Sequence, residues 1–297
     1  MDGIQRATVG DIELAYETFG DPSDPTLLLI MGLGTQMLAW PDEFCAELAA
    51  AGHYVVRFDN RDCGLSTHLD GLPAPRPARV VLRREPAPYS IDDMADDAAG
   101  LIEALGSGAV DVVGASMGGF IAQALALRSP ERLRTLTLIM TSTGSRRVGQ
   151  PAPKIVRQLL RRRAVPDRDA AIAAAVGVFR LIGSPGFAFD EEYLQVQAGT
   201  SYDRAYDPNG YFRQLAACLV QPDRTRPLGQ LRVPTLVIHG LNDPLVSFSG
   251  GLALSRRIPG ARLVGYSGMG HDLPRPLWPQ LTGEIARHCA PAVPAPA

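Results

Sequence analysis

A chain of 297 residues that is 46% hydrophobic can fill the core of one large α/β domain carrying an insertion, or of two ordinary domains. Its 29 basic and 31 acidic side chains leave a formal charge of −2, which offers nothing to a polyanion and excludes nucleic acid as an expected partner. Cys45, Cys63, Cys218 and Cys289 are scattered, with no C-x-x-C and no histidine at ligand spacing, so neither a metal site nor a disulfide framework is expected.

Met1 to Arg6 lacks the basic and apolar regions of a leader, and no apolar run approaches the roughly 18 residues of a spanning helix. A soluble, cytoplasmic protein with no membrane partner is expected. Ala7 to Val9, the Gly10-Asp11 turn and Ile12 to Phe19 read as an opening hairpin, because Ile12, Leu14 and Tyr16 alternate with Glu13, Ala15 and Glu17. Thr26 to Met31 is a continuous apolar run, as in a strand covered on both faces, and leads into Gly32-Leu33-Gly34. A helix is predicted from about Pro41, with Phe44, Cys45, Leu48 and Ala51 on one face, and Tyr54 to Phe58 is the next strand. The prolines of residues 70 to 88 predict an irregular surface excursion. Ser90, followed by Asp92 and Asp93, caps a helix whose positive end these acids favour.

Residues 109 to 128 read as a short buried strand that turns sharply at Ser116 and enters an apolar helix, and Leu133 to Thr141 is another strand. From Gly144 to Gly229 only helical pieces are found: Lys154 to Arg163, Asp167 to Ile182, Asp190 to Gln197 and Tyr211 to Val220. The second is apolar nearly all round, so core packing is expected of it, with substrate lining as the alternative. Arg157 and Arg161 to Arg163 read as a solvated helix face. Alternation returns with strands at Val233 to Gly240 and Arg262 to Tyr266, helices at Phe248 to Arg257 and Leu277 to Cys289, and a frayed tail. The whole predicts an α/β fold with a mostly parallel central sheet flanked by helices and a helical lid inserted after the sixth strand. Residues 1–143 and 230–297 would form the core, and 144–229 the lid.

Gly114-Ala115-Ser116-Met117-Gly118 fits G-x-S-x-G, whose small residues let the chain turn tightly and present a serine hydroxyl above a sheet. A serine needs a base, and the base needs a group that fixes its tautomer. In the order Ser, acid, His, only His271 and His288 of the five histidines lie far enough along. His288 sits in an amphipathic helix, whereas His271 sits in the Gly-rich loop Ser267 to Asp272 directly after a strand, so His271 is the expected base. Asp243 follows the preceding strand and is the expected acid; the loop Thr141 to Gly144 holds no carboxylate. His239 is read as a packed or loop-bonding residue and Asp272 as a loop residue. The Met117 and Leu33 backbone N–H groups are the expected oxyanion donors.

With these residues assigned, the chain resembles the α/β-hydrolase superfamily over essentially its full length. The resemblance is carried by Leu27 to Gly32, Phe58 to Ser66, Gly114 to Gly119, Asn242 to Pro244 and Gly268 to His271. Met31-Gly32, Trp40 to Phe44 and the Asp59-x-Arg61-Asp62 loop resemble the bacterial aclacinomycin methylesterase group, which shares the Met where most of the superfamily has His. That resemblance implies the same Ser116, Asp243 and His271, no cofactor and no metal. It implies hydrolysis of a small hydrophobic ester through an acyl-enzyme, with a methyl ester on an aromatic polyketide as the group's substrate. Cofactor-free peroxidation and carbon–carbon bond hydrolysis use the same scaffold and stay open, as does a non-catalytic ligand-binding protein. Dinucleotide binding through Gly32-x-Gly34 and Asp59 fails, because the third glycine position is Met37 and the next helix begins too late to meet a pyrophosphate.

Overall fold

The computed structural model describes residues 3–161, 165 and 167–290. Strands β1 (Gln5–Val9) and β2 (Ile12–Phe19) form the expected antiparallel hairpin, with Val9 opposite Ile12. β3 (Thr26–Ile30) and β4 (Tyr54–Phe58) flank α1 (Asp42–Ala50), which Pro41 precedes and whose Phe44, Cys45 and Leu48 point inward. Ala51, expected on that face, is instead the exposed residue at which the helix ends. The proline-rich excursion, expected to be irregular throughout, contains the short helix α2 (Pro77–Val81). Pro77 is its first residue, where a missing N–H leaves no intrahelical bond unmade. Helix α3 (Ile91–Ala104) opens on a capping box: the Asp93 N–H donates to Ser90 Oγ and the Ser90 N–H to Asp93 Oδ2.

β5 (Val110–Ala115), α4 (Met117–Arg128) and β6 (Leu133–Ile139) follow. The last was expected to reach Thr141, but Met140 turns to a φ of +43° and ends the extended run. The insertion after β6 comprises α5 (Pro153–Arg161), α6 (Arg168–Ile182), α7 (Glu191–Arg204) and α8 (Pro208–Val220). A turn of helix, α9 (Thr225–Leu228), leads back to β7 (Thr235–Gly240), α10 (Ser249–Arg257), β8 (Arg262–Tyr266) and α11 (Trp278–Cys289).

The eight strands lie in the order β1-β2-β4-β3-β5-β6-β7-β8, antiparallel across the first two junctions and parallel from β4 to β8. Alternate residues of each inner strand therefore enter opposite cores: Leu28 and Ile30 join α3 and α4 on one face, and Leu27 and Leu29 join α1 and α11 on the other. The carboxyl ends of β3 to β8 share one edge, and the insertion leaves the sheet from that edge. Among the described residues no helix is long and apolar enough to cross a membrane.

Two expectations for the insertion are corrected. Only Val176 and Ile182 of α6 are buried, so the helix is not packed into a core. Its apolar character rests largely on alanines, which expose little surface each, and its main packing partner is α7. Helix α7 runs well beyond Gln197 to Arg204, through Gly199, Thr200 and Ser201, which carry no helical signal of their own. Arg162 and Arg163 of the expected face and the tail, 291 to 297, lie outside the described residues.

Candidate active site

Ser116 stands between β5 and α4 at φ 55° and ψ −117°, a region that non-glycine residues rarely occupy and that costs about 1–3 kcal/mol. The flanking glycines make that turn possible. A Cβ on Gly114 would come within 2.3 Å of the Gly118 carbonyl oxygen, and one on Gly118 within 2.1 Å of the Ile30 carbonyl oxygen. The helix can start directly over the sheet only because both side chains are hydrogen. Gly32, two residues past β3, is close as well, though less so: a Cβ there would lie 3.1 Å from Ser116 Cβ.

Ser116 Oγ lies 3.0 Å from His271 Nε2, and His271 Nδ1 lies 2.7 Å from Asp243 Oδ2. An ionised carboxylate can only accept, so Nδ1 carries the proton and Nε2 is free to accept from the serine. The three side chains come from loops after β5, β7 and β8. The Leu245 and Val246 N–H groups both donate to Asp243 Oδ1 at 2.8 Å, leaving Oδ2 to the imidazole. His239 supports that turn from below by donating from Nε2 to the Val246 carbonyl at 2.7 Å. Burial lowers the His239 pKa, which keeps the ring neutral beside Asp243, 3.7 Å away. Asn242 joins the acid loop to the histidine loop: its Oδ1 accepts from the Gly268 N–H at 2.9 Å and its N–H donates to the Met269 carbonyl at 3.0 Å.

Of the two expected oxyanion donors, Met117 is the first residue of α4, where backbone N–H groups have no acceptor within the helix. Among the described residues the Leu33 N–H has no acceptor either. Around it the loop is folded on itself by Thr35, whose Oγ1 donates to the Gly32 and Leu33 carbonyls at 3.1 and 3.2 Å. The insertion holds the same loop from outside. The Gly34 N–H donates to Gln214 Oε1 at 2.8 Å, and Gln36 Nε2 donates to the Ser201 and Ala205 carbonyls.

A second set of buried charges stands at the same sheet edge. Asp62, after β4, receives Nε and Nη2 of Arg213 at 2.8 and 2.7 Å, and Asp59 receives Nη1 of Arg204 at 2.6 Å. Asp62, His68 and Asp207 bring ligand-type atoms within 4.8 Å of one another. Arg213 Nη2 bonds both carboxylates of that group, so its positive charge already fills the role a cation would have.

Sequence reasoning had no assignment for Ser184, Arg204, Arg213 or Gln214. For the last two a signal was present: Gly210, Arg213, Gln214 and Ala217 share one helical face and all four are buried, so two polar residues interrupt an inward face. Such residues need partners, but a pattern does not say which.

Residues 25–274 match the family model described as alpha/beta hydrolase fold. Rhodomycin D methylesterase DauP of a Streptomyces species is 33% identical over 304 aligned positions, covering 95% of this chain and 96% of that protein. Rhodomycin D methylesterase DnrP of Streptomyces peucetius is 31% identical, with the same coverage of 95% and 96%. The crystal structure of the enol-lactonase from Burkholderia xenovorans LB400 superposes with a TM-score of 0.74 at 24% identity, over 96% of this chain and 99% of that one, a likeness of fold. With its strand order, its strained serine turn and these matches together, the chain belongs to the alpha/beta hydrolase fold family.

Proposed function

We propose that the protein hydrolyses a carboxylic ester through an acyl-enzyme, with Ser116 as nucleophile, His271 as base and Asp243 as the acid that orients it. The observation that carries this reading is the continuous hydrogen-bonded chain from Ser116 Oγ through the imidazole to Asp243. In the acylation step Oγ forms a bond to the carbonyl carbon while its proton passes to His271 Nε2. The negative charge that develops on the carbonyl oxygen faces the Leu33 and Met117 N–H groups, and loss of one such donor costs about 10²–10³ in turnover. His271 then returns the proton to the leaving alkoxide, the alcohol departs, and water repeats the sequence to free the acid. Every proton is moved by the imidazole, and no cofactor is called for.

Residues 144–229 act in this reading as the cap over the serine, and the core is formed by 1–143 with 230–297. The two rhodomycin D methylesterase relatives support a methyl ester as the substrate, with methanol as the first product, and the resemblance to the aclacinomycin methylesterase group supports an aromatic polyketide as its acid part. Measuring methanol release from such an ester, beside turnover of a p-nitrophenyl ester, tests both levels. Ser116→Ala is expected to remove both activities while the fold is kept. Ester turnover by wild type without methanol release would retain the hydrolase and refute the substrate class.

A further inference from the structure

The loop that carries His271 is rich in glycine, and Gly268 adopts a φ of +77°, so its own sequence gives it little stiffness. Its rigidity must come from its surroundings. On the core side Asn242 supplies two hydrogen bonds. On the other side lies a segment of the insertion, the residues that follow α6. The His271 N–H donates to the Ile182 carbonyl at 2.7 Å, the Gly270 N–H to Ser184 Oγ at 2.8 Å, and the Gly186 N–H to the Gly268 carbonyl at 2.9 Å. The two backbones are pressed together: a Cβ on Gly270 would come within 2.3 Å of the Gly183 carbonyl oxygen, and one on Gly186 within 2.5 Å of Gly268 Cα.

Among the described residues Ser184 is the one side chain in this seam that bonds both neighbours of the histidine. Its oxygen accepts from the Gly270 N–H, and its own proton goes to Asp272 Oδ1. A hydroxyl has one proton and two lone pairs, so a single atom can hold the residue before His271 and the residue after it. Burial raises the pKa of Asp272, and the Ser184 hydroxyl is among the groups that oppose that rise.

We propose that Ser184 is a positioning residue for the hydrolytic reaction: it ties the histidine loop to the insertion and thereby keeps the imidazole aimed at Ser116. This rests on the reading of His271 as the base. Ser184 bonds the loop and not the reacting atoms, so its effect falls on how well a bound reagent reacts, not on how well it binds. A displacement of about 1 Å at the imidazole can cost about 10²-fold in rate, which sets the scale of the loss. It also gives the insertion a share in the catalytic geometry from a residue 68 positions along the chain from Ser116 (184 − 116).

The test uses the full chain and a fluorophosphonate, whose reaction with Ser116 requires the same base but no knowledge of the natural ester. Ser184→Ala is expected to lower the limiting rate of covalent labelling by about tenfold or more, with the half-saturating concentration nearly unchanged and cooperative thermal unfolding kept. Ser184→Thr, which retains the hydroxyl, is expected to recover most of that rate. Labelling of Ser184→Ala within about twofold of wild type, or no difference between Ala and Thr, overturns the proposal. Should Ser184→Ala fail to fold, Asp272→Asn weakens the same link from the other end. It is expected to slow labelling several-fold, and a wild-type rate overturns the proposal. Ser116→Ala separates the two levels: if that variant still labels, the assignment of the nucleophile has failed whatever Ser184 does.

Discussion

Two groups of buried carboxylates stand at the same edge of one sheet and have different partners. Asp243, after β7, faces an imidazole; Asp59 and Asp62, after β4, face guanidinium groups brought by α7 and α8. All three side chains are fully buried. An imidazole can gain and lose a proton near neutral pH, whereas a guanidinium keeps its charge. Burial alone therefore does not say what a carboxylate does. At this edge the imidazole pair is suited to moving a proton and the guanidinium pairs to fastening the insertion, and the residue opposite each aspartate decides which.

That contrast can be broken at either end. The largest effect is expected from Asp243→Asn, which keeps the shape but lets the amide donate to the imidazole and select the wrong tautomer. Turnover of a p-nitrophenyl ester should fall by about 10⁴, with the urea unfolding midpoint changed little. Arg213→Ala should do the reverse. It leaves Asp62 buried with one remaining backbone donor, the Leu69 N–H, and a broken buried pair costs about 3–5 kcal/mol in unfolding free energy. Arg204→Met should cost less, about 1–2 kcal/mol in the same urea titration. Asp59 would still accept from the Met37 and Leu65 N–H groups, and Nε and Nη2 of Arg204 are buried without partners among the described residues, so the substitution also removes unsatisfied donors. Equal losses for the two arginines would show that their pairs are not distinguished by these backbone donors.

The smallest effect is a pH dependence, and it comes from the imidazoles of His53, His68, His239 and His288. Burial lowers the pKa of His53, His239 and His288 in the folded chain. Each binds a proton more readily when unfolded, so their contribution is present above about pH 6.5 and is lost as the pH falls below it. His68 works in the opposite sense: burial alone would lower its pKa, but the Gly64 carbonyl and Asp207 raise it, so its contribution is present on the acid side and lost as the pH rises. Three groups oppose one, and the unfolding midpoint is expected to fall between about pH 7 and pH 5. His68→Asn should steepen that fall, and a midpoint that rises on acidification would contradict the assignment.

Much of the fold was legible because inner strands of a parallel sheet are short continuous apolar runs. Thr26 to Ile30 is such a run, Tyr54 to Phe58 and Val110 to Ala115 are interrupted only by Arg57 and Asp111, and each of the three is a strand. The order of Ser116, Asp243 and His271 was readable for a related reason, since each follows a strand and strand ends share an edge. The three side chains named from the sequence are also the three that hydrogen-bond in series. The insertion offered no comparable rule. Alanine-rich α6 has the composition of a buried helix but is half exposed, and the contacts of Ser184 and Gln214 join a side chain to a distant backbone N–H, which no periodicity encodes.

The central claim is that Ser116 forms the covalent intermediate, and mass spectrometry of the protein after fluorophosphonate treatment tests it most directly. A single adduct on the peptide holding Ser116, absent from Ser116→Ala together with all ester turnover, is the predicted result. An adduct on another residue, or ester hydrolysis that survives in Ser116→Ala, would contradict it.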